Sequence, residues 1–195
     1  SASTYYYQIY AVNSFGAHSL QDNSPIAATT INPRGEFTET FESGTLNWTF
    51  TGAWGISSAY ANSGSFSLTD SPDGNMTGSD SYALLRVDTS GMEFPVLRFW
   101  SRHDLGSNST VEVHFSSNAG ASYDYSVWAR SGDSGGWSEH QVFLYPDNAD
   151  VWVRFYLNAA FQTDGDGWYL DDIRVVDMAD EFTGVAGYPF FEDFE

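Results

Sequence analysis

The chain contains no cysteine and no lysine. Without cysteine there are no disulfides and no thiolate sites, and the redox compartment is not readable. Without lysine, seven arginines face 26 acidic residues, for a formal net charge of −19. That balance argues against nucleic acid and anionic membranes as partners. It fits a solubilising surface, cation binding or saline surroundings. No apolar run is long enough to span a bilayer as a helix, so no membrane insertion is expected. No signal peptide is visible. No segment holds a 3.6-residue apolar period, so no helix is expected. Catalytic signatures are missing too. There is no Gly-x-Ser-x-Gly and no His-Glu-x-x-His, and His18, His103, His114 and His140 sit in no nucleophile motif. Ser131-Gly-Asp-Ser-Gly-Gly136 looks superficially like a serine-protease motif, but the rest of such a chain is absent.

What is present is aromatic, at 17% of 195 residues, as suits a β-sandwich core. That length fits one full domain plus extras. Strand-like stretches fall near 46–55, 64–69, 82–87, 95–103, 110–116, 123–129, 137–144, 151–158 and 168–176, separated by Gly, Ser, Asn and Asp clusters. Val111, Val113 and Phe115 alternate with Glu112 and His114. Val151, Val153, Phe155 and Leu157 alternate with Trp152, Arg154 and Tyr156. Such alternation sets an inner and an outer face. The fold expected is therefore an all-β sandwich.

The stretch 163–177, Thr-Asp-Gly-Asp-Gly-Trp-Tyr-Leu-Asp-Asp-Ile-Arg-Val-Val-Asp, organises the rest. Strand alternation puts Tyr169, Asp171, Ile173 and Val175 on one apolar face, so Asp171 is expected to point at the core. A buried carboxylate needs a metal, an arginine or several N–H donors. A turn capped by Asp171 is one reading. Structural Ca²⁺ is preferred, because hard oxygen ligands abound and cysteine is absent. Asp164 and Asp166, between glycines, form a second and weaker candidate site, or simply shape the turn. Asp70, Asp73 and Asp80 mark another acidic loop, with Asp70 an organiser or a ligand.

Several of these pieces together resemble a known family. Gly165-Asp-Gly-Trp-Tyr-Leu-Asp-Asp-Ile173 looks like the closing strand of a secreted bacterial jelly roll, similar to MAM and cleaved-adhesin domains. Such domains follow the catalytic part of immune inhibitor A-type and some subtilisin-like peptidases. Ser67–Asn75, Leu97–Leu105 and Ser131–Trp137 match in the same order, and the likeness covers about 36–177. The resemblance implies a jelly roll whose first and last strands lie side by side. By the same resemblance, Glu42 and Asp171 would bind one Ca²⁺, with carbonyls of Thr40 and a residue near Ser65 completing the shell. Asp172 would face away unless strand twist brought it in. Residues 1–33 resemble the last two strands of a fibronectin type III domain plus a linker, with Tyr5-x-Tyr7-x-Ile9-x-Ala11-x-Asn13 before a turn. Residues 34–178 then form the jelly roll. Residues 179–195 are a linker and the possible start of a further repeat, since Phe194-Glu195 matches Phe41-Glu42.

Trp152, Arg154 and Tyr156 form an outward row that can stack on sugar rings, or simply an outer face covered by cation–π contact. Arg98, Trp100 and Arg102 form a similar row, which a jelly roll is expected to hold partly inside. The function expected is a non-catalytic structural or adhesive module outside the cell, assembling with neighbouring copies or domains into an array or fibre. The alternative is a polysaccharide-binding accessory domain of a secreted hydrolase.

Overall fold

The computed structural model of the protein describes residues 36–123 and 126–182. The chain divides into units Ser1–Asn32 and Pro33–Glu195, and every described residue belongs to the second. The fibronectin-like hairpin, and all of the repeat start except residues 179–182, lie outside the described residues. Among the described residues eleven strands are formed: β1 (Phe37–Glu39), β2 (Trp48–Thr51), β3 (Gly55–Ser57), β4 (Ser67–Thr69), β5 (Ser81–Val87), β6 (Pro95–Asp104), β7 (Thr110–Ser116), β8 (Trp128–Ser131), β9 (Ser138–Phe143), β10 (Val151–Asn158) and β11 (Gly167–Asp177). A five-residue helix, α1 (Met178–Phe182), follows where only a linker is expected.

The strands form two antiparallel sheets. The first runs β3-β4-β11-β6-β9, with β1 also beside β11, and the second runs β2-β5-β10-β7-β8. Successive strands cross repeatedly between the sheets, which makes the sandwich a jelly roll. The first and last strands do lie side by side, with Phe37 opposite Val175 and Glu39 opposite Ile173. Val151, Val153, Phe155 and Leu157 of β10 turn inward and are buried, as are Val111, Val113 and Phe115 of β7. Across the gap, Phe99 and Trp168 meet Phe155 at 5.4 and 5.7 Å between ring centroids. Trp128 stacks on Trp168 at 5.9 Å. Each such side chain contributes roughly 1.5–3 kcal/mol by leaving water.

Two strand expectations shift. The stretch 46–55 breaks at Gly52 (φ 90°), so its halves join different sheets. A Cβ at Gly52 would stand 2.6 Å from the Ser81 Cβ, a closeness only glycine permits. The strand expected over 123–129 begins at Trp128.

The larger correction concerns β11. Trp168 lies opposite His103 and Leu170 opposite Ser101, and both belong to the core. The register then shifts between Asp171 and Arg174, where Asp172 has a φ of 46°. This β-bulge inserts an extra residue and reverses the two faces beyond it. Ile173 and Val175 turn into the core, whereas Tyr169 and Asp171 do not share their face. Tyr169 packs on Tyr60 outside the sandwich. Asp171 therefore points away from the core, yet it is fully buried.

Candidate functional site

What buries Asp171 is the β3–β4 loop. Asp171 Oδ2 accepts the Asn62 and Ser63 amides at 2.8 and 3.1 Å, and Oδ1 accepts the Asp172 amide at 2.8 Å. The bulge swings Asp172 toward the same loop. Its carboxylate accepts Asn62 Nδ2 at 2.8 Å and Ser63 Oγ at 2.7 Å. Glu42 joins from the other side of the loop, its Oε1 accepting the Ser65 and Phe66 amides, both at 2.8 Å. Glu42 follows Phe41, a buried residue at φ 59°. Three carboxylates thus grip the 62–66 part of this loop. Burial raises the Asp171 pKa, while the Ser63, Asp172 and Asn62 amides pull it down.

These are the hard oxygen ligands that calcium prefers. The ion pairs Arg86–Asp150 and Arg174–Glu139, and the His114–Glu112 hydrogen bond, lie elsewhere. Yet amides now meet the Glu42 and Asp171 oxygens, and Ser65 turns its N–H toward Glu42. No group of three Asp, Glu, His or Cys side chains is set for a metal among the described residues. The donors fit calcium in kind, while loop amides already supply much of the compensation the carboxylates need.

Asp164 and Asp166 do not join this corner. An added Cβ at Gly106 would meet Asp164 Oδ1 at 2.6 Å, and the Asp166 carbonyl accepts Ser71 Oγ at 2.6 Å. Asp70 is the organiser of that turn. Its Oδ1 accepts the Trp168 amide at 2.6 Å, which fixes the entry to β11.

The second candidate is the outer face of the second sheet. Cross-strand register sets Trp152 between Arg86 and Ser116, Arg154 between Leu84 and His114, and Tyr156 between Tyr82 and Glu112. Trp152, Arg154 and Tyr156 are all half-buried. Their polar ends are held in place. Trp152 Nε1 donates to Asp150 Oδ1 at 2.8 Å. Arg154 Nε donates to His114 Nδ1 at 3.2 Å, so the other ring nitrogen, 2.8 Å from Glu112 Oε2, carries the proton. Tyr156 Oη donates to Asp80 Oδ2 at 2.7 Å, and burial with that contact pushes its pKa to about 12. The Arg154 guanidinium lies 4.0 Å from the Tyr123 ring and 5.3 Å from the Tyr156 ring. Sequence reasoning does not find Tyr82, Tyr123 or the role of His114. Strand register brings Tyr82 and His114 beside the row, and a loop brings Tyr123, so spacing alone carries no signal for them. The Arg98, Trp100 and Arg102 row is half-buried, on the outer side of the first sheet.

No family model and no curated protein matches the sequence. Solved structures do match the fold. The carbohydrate-binding module TmCBM61, seen in complex with β-1,4-galactotriose, has a TM-score of 0.52 at 14% identity, covering 71% of this chain and 94% of that one. The family 22 carbohydrate-binding module of Clostridium thermocellum Xyn10B has 0.52 at 17% identity, covering 74% and 96%. The K1 cleaved adhesin domain of Lys-gingipain from Porphyromonas gingivalis W83 has 0.51 at 17% identity, covering 72% and 97%. Across such sequence distances, this chain is similar to these proteins in fold, an all-β jelly-roll sandwich.

Proposed function

We propose that this domain is a non-catalytic glycan-binding module acting outside the cell. The observation that carries the reading is the row Trp152, Arg154, Tyr156, whose polar ends are tied by Asp150, His114 and Asp80. Rings fixed before a ligand arrives lose little freedom on binding, which favours affinity. Half-exposed rings beside a guanidinium suit sugar rings and their hydroxyls. The net charge of −19 favours neutral glycans over acidic ones. Two of the fold neighbours above are carbohydrate-binding modules, which supports the ligand class. The adhesin neighbour supports an adhesive role, and a glycan-holding face would supply one. A glycan array probed with the full chain tests this. Signal on neutral polysaccharides, weakened by Tyr156→Ala, is expected; an array without signal contradicts it.

Calcium is proposed as a structural ion of the Glu42–Asp171 corner. Glu42 and Asp171 would hold it, with Asp172 close by and carbonyls of Thr40 and Ser65 as further donors. Its contribution would be to lock the β3–β4 loop onto β11 and to offset the charge of three clustered carboxylates. Asp164 and Asp166 remain a proposed second, weaker site.

A further inference from the structure

The turn between β10 and β11 opposes the preferences of its own residues. Ala160 and Phe161 have φ of 47° and 62°, and the Gln162 amide donates to the Ala159 carbonyl at 2.8 Å. This is a type I′ turn, whose central positions favour Asn, Asp and Gly. Alanine and phenylalanine each carry a Cβ that the left-handed region disfavours. The fold gains no burial in return, because Phe161 is 94% exposed. A large aromatic ring held in solvent on strained backbone points to use by a ligand.

The turn is also fastened to the wall of an open groove. Ser109 Oγ donates to the Ala159 carbonyl at 2.7 Å. Gln162 packs so tightly on Gly106 that an added Cβ there would lie 2.7 Å from the Gln162 Cβ. Gly106 and Ser109 belong to the loop between β6 and β7. That loop, with Ser131 and Gly132, lines an open surface groove of about 580 Å³. Its lining is uncharged, made of residues 105–110 and these two. Acidic groups flank it: Asp104 bridges to Asp133, and Asp164 Oδ1 lies against Gly106. Anions are therefore disfavoured here.

We propose that this loop end is a second glycan site, in which Phe161 stacks on a neutral sugar ring while Ser107, Asn108 and Ser131 engage its hydroxyls. The ligand class rests on the glycan-binding reading, whereas the location rests on the turn and the groove alone. The test is amide NMR on the full chain with β-1,4-galactotriose and with xylotriose as probes. Shifts at Ser107, Asn108, Gly132 and Phe161 are expected, and they should persist in Trp152→Ala. Phe161→Ala should weaken this binding about tenfold, equivalent to about 1.4 kcal/mol, and Phe161→Tyr should restore it. Shifts confined to the β10 face would overturn the loop-end site and leave the sheet-face reading standing. Loop-end shifts that survive Phe161→Ala undiminished would overturn it as well. No shifts anywhere with either probe would overturn both.

Discussion

Asp70 shows how much a single buried carboxylate weighs in this fold. It is 3% exposed, and burial pushes its pKa from 3.8 to about 7, against the pull of the Trp168 amide and with a small addition from Asp166. The folded state thus holds this proton more tightly than the unfolded chain. The stability linked to it is full below about pH 4 and is lost as pH rises through about 7. Three pKa units correspond to roughly 4 kcal/mol, an upper bound for the change. His103 and His140 titrate in the opposite sense, because burial lowers their pKa and stability is lost on acidification. The clean comparison is therefore with Asp70→Asn, which keeps the acceptor for Trp168. From about pH 4 to about pH 8, melting curves should show the variant gaining steadily on the wild type. A constant difference would contradict the burial account. Asp171 carries the calcium prediction. Excess chelator should lower the melting temperature by several degrees, a response absent in Asp171→Ala. Identical wild-type curves with and without chelator would remove calcium from the corner. Asp171→Asn should cost about 1–3 kcal/mol in denaturant melts, because both carboxylate oxygens accept backbone N–H groups and the new NH2 must face one of them.

At the scale of elements, alternation predicts β7 and β10 correctly because both are unbroken strands with one face in the core. The same rule misplaces Asp171, because one extra residue at Asp172 reverses the faces of β11 partway along. A bulge leaves little trace in sequence when no glycine marks it, and here the left-handed residue is an aspartate. The meeting of Glu42 with the β3–β4 loop is legible only in half. The pairing of β1 with β11 belongs to the jelly roll, whereas the grip on 62–66 depends on a loop whose path no periodicity describes. The β10–β11 turn is illegible for a related reason, since Ala160-Phe161 lacks the chemistry that announces a type I′ turn. Replacing that pair with Asn-Gly should stabilise the protein by about 1–2 kcal/mol, from relief of two left-handed residues. Thermal unfolding should register this as a rise of a few degrees. An unchanged or lower melting temperature would show that the turn is not strained.

At the scale of the molecule, two surfaces divide the work of the sandwich. The first sheet holds the loop corner outside β11, where acidic side chains fasten structure. The second sheet holds the aromatic row, where polar groups fasten rings. The core between them is aromatic and continuous, so a change on one outer face need not disturb the other. Glycan binding by the β10 row is read most directly by affinity electrophoresis of the full chain through gels containing soluble xylan or galactan. The wild type should be retarded, Trp152→Ala should lose most of that retardation, and Trp100→Ala, on the outer side of the opposite sheet, should retain it. Wild-type mobility unchanged by either polysaccharide, or a Trp152→Ala variant retarded as strongly as the wild type, would contradict the account.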